Sequence, residues 1–89
     1  MISIAYSQHF LKIFKKRLKG NKSHLELFLS EVELFKIDPF HPSLNTHKLT
    51  GTLQGYWSFS IDDDLRVVFY FSTKNKVVFA DIGTHDEVY

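Results

Sequence analysis

The chain has 89 residues, of which 44% are hydrophobic and 24% are charged, and its formal net charge is +1. This composition is typical of a soluble globular protein rather than a disordered one, and the length predicts one domain spanning residues 1–89. Without cysteine there is no disulfide framework and no thiolate metal site, and no apolar run reaches the ~20 residues of a membrane helix. Because MISIAYSQHF lacks a basic leader and a long apolar segment, we expect a cytoplasmic protein without a secretory signal.

The small net charge hides an uneven distribution along the chain. Residues 1–36 carry seven Lys or Arg against three Glu, a net charge of +4, and residues 37–89 carry a net charge of −3. The basic side chains concentrate in FKKRLKGNK, residues 14–22. Such a run is either the solvated last turn of a helix, or a binding surface for a phosphate backbone or an acidic protein segment.

The first half of the chain predicts a strand followed by a helical hairpin. Apolar residues alternate with small or polar ones over residues 2–6, which indicates a short strand. Ser7 is the predicted N-cap of a helix that ends near Gly20. Ser23 and Glu26 have the spacing of a capping box for a second helix, and two prolines then end the helical pattern.

The second half of the chain changes to the period of strands. Residues 45–49 predict a short strand, and residues 56–61 alternate strictly between two faces. Residues 65–71 are rich in β-branched and aromatic side chains, and residues 76–82 form the last predicted strand. The order β-α-α-β-β-β-β therefore predicts an α+β fold, an antiparallel sheet with the helical hairpin packed on one face.

The polar face of the predicted sheet carries the side chains that are candidates for chemistry. Ser58 and Ser60 lie on this face, and Arg66 interrupts an otherwise apolar run. A guanidinium in such a position needs an anion, because its fork of N–H groups matches a carboxylate or a phosphate. That anion is either a bound phosphate or one of the aspartates at residues 62–64 in the preceding turn.

Two histidines near this face are candidates for acid–base chemistry. His47 lies on an earlier strand, and His85 follows the last strand. Histidine titrates near neutral pH, although a single histidine in a tail is more often an ordinary surface residue. If His47, Arg66, His85 and Tyr89 converge, one residue could take the 2′-hydroxyl proton of RNA, Arg66 could stabilise the phosphorane, and His85 could protonate the leaving oxygen. The spacings match no metal site and no nucleotide-cofactor motif, so we expect no metal and no cofactor.

The stretch HKLTGTLQGYWSFSIDDDLRVVFYF, residues 47–71, followed by IGTHDEVY, resembles the RelE/ParE superfamily of bacterial type II toxins. The likeness covers essentially the whole chain and is strongest to the RelE/StbE group, with YafQ- and YoeB-like features. It implies a RelE-like fold and a ribosome-dependent ribonuclease that enters the A site and cleaves mRNA by 2′-hydroxyl attack. It also implies a cognate antitoxin as partner, and contact with operator DNA only through the antitoxin complex.

The resemblance assigns roles to individual residues. His47 stands where YafQ-like members carry a histidine, Arg66 matches the phosphate-contacting arginine, and Asp64 matches a catalytic aspartate. His85 and Tyr89 match the terminal catalytic histidine and the terminal aromatic residue. Charge and position on the predicted wet face add a set of RNA-binding candidates: Lys48, Ser58, Ser60, Lys15, Lys16 and Arg17.

Two features of the sequence depart from the family pattern. The stretch WSFSI has no basic residue after the Trp-Ser pair, and Ser60 stands where YafQ carries a catalytic histidine. Two other functions are compatible with the same fold: ParE-like inhibition of DNA gyrase, and a degenerate toxin that only binds its antitoxin. Because ParE-type chains generally lack a terminal histidine clustered with an aromatic residue, His85 with Tyr89 favours RNA cleavage.

Overall fold

The computed structural model describes every residue from Met1 to Tyr89. In chain order its elements are β1 (Ser3–Tyr6), α1 (Gln8–Leu18), α2 (Lys22–Ile37), β2 (His47–Lys48), β3 (Trp57–Ser60), β4 (Leu65–Thr73), β5 (Lys76–Thr84) and α3 (His85–Val88). Short 3₁₀ turns flank β2 on both sides. None of the helices combines the length and the apolarity that crossing a membrane requires.

The strands form one sheet in the order β1-β5-β4-β3-β2. Strands β2 to β5 pair antiparallel, as consecutive strands joined by short turns predict, and the α+β fold class is confirmed. The first strand differs, because β1 pairs parallel with β5 and places Ile4 opposite Val77. The sheet is therefore mixed rather than wholly antiparallel, since the period of a strand's residues does not indicate the direction of its neighbour.

Ser7 connects the first helix to the sheet. Its Oγ accepts the N–H of Phe10 at 3.0 Å, which confirms the predicted cap of α1, and also lies 3.3 Å from the carbonyl oxygen of Ala80, to which it donates. The same residue thus begins α1 and holds that beginning against β5. After α1 ends, Gly20 takes a φ of +75°, a left-handed conformation that favours glycine and reverses the chain.

The second helix begins earlier than the sequence predicts. Asn21 is the N-cap, because its Oδ1 accepts the N–H of His24 at 3.1 Å, and α2 starts at Lys22. The predicted capping box of Ser23 and Glu26 was wrong: Ser23 lies inside the first turn and donates its hydroxyl to Asn21. Asn and Ser have similar preferences for the N-cap, so these preferences do not decide which residue caps α2. The chain reverses at Gly20, and this places Asn21 rather than Ser23 at the start of the helix.

Phe35 of α2 lies at the centre of the core and is fully buried. Its ring centroid is 4.6 Å from that of Phe59, 5.0 Å from that of Phe69 and 5.7 Å from that of Phe79. Each partner belongs to a different strand, namely β3, β4 and β5. One aromatic side chain of the helical layer therefore packs against all three central strands.

The acidic turn between β3 and β4 is organised by its first aspartate. Asp62 Oδ1 accepts the N–H groups of Asp64 and Leu65 at 2.9 and 2.7 Å, and its Oδ2 lies 3.1 Å from Nε2 of His24. Partial burial acts to raise the pKa of Asp62, but the two N–H donors and His24 outweigh it and hold the pKa below the ordinary value. The turn is thus tied to α2, while Asp63 and Asp64 stay exposed.

We expect Phe35→Ala to lower the free energy of unfolding by ~3–5 kcal/mol, because truncation leaves a cavity between α2 and three strands. Urea denaturation followed by circular dichroism measures this change. Leu29→Ala is the matched control, since Leu29 is on the same helix but 54% exposed, and it should change stability by no more than ~0.5 kcal/mol. Equal effects of the two substitutions would contradict the central position of Phe35.

We expect Asp62→Asn to lower the melting temperature most near neutral pH. Because the folded pKa of Asp62 lies below its ordinary value of 3.8, the ionised carboxylate stabilises the fold above that pH. Its contribution is lost as the pH falls through the folded pKa, so the difference from the wild type should shrink in acid. Asp63→Asn is the control, since the Asp63 side chain accepts no hydrogen bond in the turn. A difference that grows on acidification would refute this assignment.

Candidate functional site

His47 lies on the face of the sheet opposite the core. It pairs across the strands with Ser58. Side chains alternate along a strand and the next residue, Phe59, is buried in the core, so Ser58 and His47 point to the opposite face. His47 Nδ1 lies 2.9 Å from the carbonyl oxygen of Asn45. A carbonyl only accepts, so Nδ1 carries the proton in neutral His47 and Nε2 keeps a free lone pair. That tautomer is the one a general base at Nε2 requires.

Tyr89 brings the two candidate histidines together. Its ring centroid lies 4.5 Å from that of His85 and 6.3 Å from that of His47, in both cases edge to face. Its hydroxyl donates a hydrogen bond to Oγ of the buried Ser58. The three rings line an open cleft of about 320 Å³, the histidine cleft, whose other lining residues are Lys48, Leu49, Thr50, Thr52 and Leu53.

Arg66 lies in a second cleft on the same face, the arginine cleft, of about 280 Å³. Its guanidinium donates to Oγ of Ser60 at 2.5 Å and to the carbonyl oxygen of Asp63 at 3.2 Å. No carboxylate lies within ion-pair distance of it, so the alternative of a salt bridge to the acidic turn does not hold. An unneutralised guanidinium that borders a cleft is a binding group for an anion.

The two clefts adjoin each other. Ser58 and Ser60 lie two residues apart on β3, so their side chains share one face at a separation of roughly 7 Å. Ser58 holds Tyr89 in the histidine cleft, and Ser60 holds Arg66 in the arginine cleft. Asn45 lines the arginine cleft and also accepts the His47 hydrogen bond. The fold therefore places the Arg66 guanidinium near a pair of imidazoles, in a cleft that Asp62 and Asp63 also line.

Asp64 lies apart from both clefts. It is exposed at the end of the β3–β4 turn, and its N–H donates to Asp62. Neither cleft includes its side chain. Of the three aspartates in this turn, Asp62 is the one whose side chain accepts hydrogen bonds, and it also lines the arginine cleft.

The basic residues predicted to bind RNA have different surroundings. Lys48 borders the histidine cleft, with Nζ 5.4 Å from the centre of the Trp57 ring. Lys15 and Lys16 are exposed on α1 outside both clefts. Arg17 instead forms an ion pair with Glu87 of α3. Of the predicted set, Lys48 and Ser60 therefore line the clefts, and the three residues of α1 lie elsewhere. The prediction that Ser58 binds RNA was wrong, because Ser58 is fully buried and its hydroxyl is taken by Tyr89.

Glu87 is a residue of this region that the sequence analysis missed. Its carboxylate accepts the N–H of Thr84 at 2.8 Å, which is one half of a capping box for α3. The Thr84 N–H and hydroxyl, followed by the charge of Arg17, hold the pKa of Glu87 below its ordinary value despite slight desolvation. The spacing of threonine and glutamate in THDE, residues 84–87, is the sequence signal that could have revealed this helix.

Ser43 and Asn45 also line the arginine cleft without having been predicted. They lie in the irregular segment before β2, where residue periodicity carries no information on the direction of a side chain. For metal binding the chain offers little, because nowhere do three or more His, Asp or Glu side chains cluster as ligands.

Several solved structures share this fold. A metal-bound toxin from Helicobacter pylori is 25% identical, with a TM-score of 0.79 and full coverage of both chains. A YoeB/ParE toxin from Agrobacterium tumefaciens is 16% identical, with a TM-score of 0.77 over 94% of this chain and 99% of that one. The E. coli DinJ–YafQ complex contains a chain 23% identical, with a TM-score of 0.67 over 100% of this chain and 99% of that one.

Sequence comparison with family models agrees with these structures. Among curated proteins, none is detectably similar in sequence. The model described as "Bacterial toxin of type II toxin-antitoxin system, YafQ" matches residues 2–89. The resemblance drawn from the sequence is therefore confirmed: the chain belongs to the YafQ family of toxins from bacterial type II toxin–antitoxin systems.

Proposed function

We propose that this toxin is an endoribonuclease that cleaves mRNA on the ribosome, with residues 1–89 acting as one catalytic domain. The observation that carries the proposal is the convergence of His47, His85 and Tyr89 in one cleft, beside the unneutralised Arg66. Cleavage of RNA by attack of its own 2′-hydroxyl needs a base, an acid and a cation near the phosphate. Histidine can act as the base or as the acid, and arginine supplies the cation. Membership of the YafQ family supports the same activity.

The reaction would begin with His47 as general base. Nε2 of His47 takes the proton of the 2′-hydroxyl, whose oxygen then attacks the adjacent phosphorus. The resulting phosphorane carries additional negative charge on its oxygens. Arg66 forms no ion pair with a carboxylate and stabilises that charge through its N–H groups.

His85 would complete the reaction as general acid. Protonated His85 gives its proton to the 5′-oxygen as the bond from that oxygen to phosphorus breaks, which leaves a 2′,3′-cyclic phosphate and a 5′-hydroxyl. The Tyr89 ring is 40% exposed and offers a surface on which a base of the mRNA stacks. Every proton and charge in this scheme is handled by side chains, so the proposed reaction needs no metal and no cofactor.

Two observations place limits on the proposed active site. Ser60 occupies the position of a catalytic histidine in YafQ, and here its hydroxyl orients Arg66 instead of transferring protons. Asp64 lies outside both clefts, so we assign it no step of the reaction. The clefts are open rather than enclosed, and we infer that the ribosome supplies the remaining surface that holds the mRNA, with Lys15 and Lys16 as exposed contacts to ribosomal RNA.

We infer that a cognate antitoxin is the protein partner, and that operator DNA is contacted only through that complex. One solved relative is a complex of YafQ with DinJ. In this chain an apolar groove of about 480 Å³ lies at the turn of the helical hairpin, and its lining residues are Phe14, Lys15, Leu18, Lys19 and Leu25. An apolar floor bordered by two lysines fits an acidic amphipathic segment of such an antitoxin.

The first test is mRNA cleavage in a reconstituted translation reaction, with the 5′ ends of the products mapped by primer extension. We expect cuts at the A-site codon, and a loss of rate of ~10²–10⁴-fold in His85→Gln, since the general acid is removed. His9→Gln is the matched control, because His9 is an exposed histidine on α1 that pairs with Asp81 away from the clefts. Intact mRNA with the wild-type protein would overturn the proposal and make inhibition of DNA gyrase, measured by supercoiling, the next function to test.

The second test concerns the antitoxin. We expect Leu25→Glu to weaken antitoxin binding at least about tenfold, because it removes a leucine contact worth ~1.5–3 kcal/mol and adds a charge that repels an acidic segment. Isothermal titration calorimetry with the antitoxin encoded beside the toxin measures the dissociation constant. Ser30→Glu adds the same charge to an exposed site of α2 outside the groove and should leave binding unchanged. Equal losses in both variants would argue against the groove.

A further inference from the structure

The helix that carries His85 is too short to hold its own position. α3 has four residues, His85–Val88, and a single helical turn is unstable in isolation because too few hydrogen bonds offset the loss of backbone freedom. Within it the N–H of Tyr89 donates to the carbonyl oxygen of His85 at 3.0 Å. The placement of His85 and Tyr89 at the histidine cleft therefore depends on contacts that attach α3 to the rest of the protein.

Some of those contacts are with β5. Gly83 is buried, and a Cβ at this position would lie 3.0 Å from Cγ1 of Val88 and 3.1 Å from Oε1 of Glu87. Such distances are tighter than an ordinary Cβ contact, so α3 packs closely against the backbone of β5 at this glycine. Val88 is buried against the sheet, and Glu87 accepts the N–H of Thr84.

A further contact comes from α1, which is distant in sequence. The guanidinium of Arg17 pairs with Oε1 of Glu87, the same oxygen that accepts the Thr84 N–H. Arg17 is only 28% exposed, and its Nε is buried without a hydrogen-bond partner. A cationic side chain is thus partly withdrawn from water to reach α3, where it meets the one acidic side chain that caps that helix.

We propose that Arg17 and Glu87 are positioning residues, an ion pair between α1 and α3 that holds His85 and Tyr89 at the histidine cleft. The effect on catalysis rests on the proposed ribonuclease function, whereas the effect on the position of α3 does not. This role differs from the RNA contact that the basic run of α1 predicts for Arg17. The side chain is directed to a carboxylate of its own chain, while Lys15 and Lys16 remain exposed.

The size of the expected effect follows from the exposure of the pair. Ion pairs at the protein surface usually shift an equilibrium by about 1.5- to 5-fold, and added salt weakens them. A shift of that size is measurable by hydrogen exchange, because the exchange rate of a protected N–H rises in proportion to the undocked population. We therefore expect a partial loss of docking rather than unfolding of the protein.

Nuclear magnetic resonance of the full chain, without ribosome or RNA, tests the position of α3 directly. The Tyr89 ring lies edge to face with the His47 ring of β2, so the His47 ring protons are shifted only while α3 is docked, and the hydrogen bond of the Tyr89 N–H to His85 slows its exchange with water. Glu87→Gln keeps an oxygen that accepts the Thr84 N–H but removes the charge. We expect Glu87→Gln and Arg17→Ala each to move the His47 and His85 shifts toward their free values and to accelerate Tyr89 exchange about 1.5- to 5-fold.

A double-substitution cycle distinguishes a direct pair from two separate effects. If Arg17 acts through Glu87, the double variant Arg17→Ala/Glu87→Gln shows no larger change than the stronger single variant. Arg17→Lys should restore part of the docking, because it keeps the charge. Lys12→Ala and Glu26→Gln remove matched charges from exposed sites of α1 and α2 and should leave the His85 signals unchanged. Wild-type spectra in both single variants, or fully additive changes, would overturn the proposal.

The cleavage assay separates positioning from RNA binding. A positioning role lowers kcat/KM by a similar factor, at most about 5-fold, in Arg17→Ala and in Glu87→Gln, because both substitutions release the same helix with His85 and Tyr89 on it. A role of Arg17 in RNA binding instead raises KM in Arg17→Ala and leaves Glu87→Gln active. If the protein cleaves no mRNA, the ribonuclease function fails, while the resonance experiment still decides whether the pair positions α3.

Discussion

The packing of Phe35 against three strands is the constraint from which the rest of the structure follows. Its ring contacts Phe59, Phe69 and Phe79, so α2 can lie on the sheet in only one orientation without opening a cavity. Strand side chains alternate between faces, and burying Phe59 therefore turns Ser58 and Ser60 to the opposite side. The polar face with its two clefts is thus a consequence of how the core packs.

The functional face combines a rigid part with a marginal part. Ser58, Ser60 and Arg66 lie on central strands that are paired on both sides, so their positions are well determined. His47 lies on a two-residue strand at the edge of the sheet, and His85 lies on a single helical turn. The two histidines that we propose as base and acid are therefore supported by the shortest strand and the shortest α-helix of the fold.

The sequence predicted the regular elements well where local physical chemistry determines them. The strict alternation around Phe59 identified the polar face, and Ser7 was recognised as a helix cap because its preference is unopposed. Asn21 was missed because a second cap residue, Ser23, follows it closely. The helix α3 was missed because four residues after a strand carry no helical period, although the threonine and glutamate of its capping box were present.

The sequence by itself determined the order of the elements from β1 to β5, the faces of the central strands and membership of the toxin family, because these depend on residue pattern. Only the tertiary structure decided which charges meet. Arg66 contacts Ser60 and the backbone carbonyl of Asp63 instead of an aspartate carboxylate. Arg17 pairs with Glu87, and the His47 ring packs against the Tyr89 ring. Arg17 and Glu87 are 70 residues apart in the chain. No local pattern encodes such a contact, since the two residues come close together only when the sheet and the helices pack.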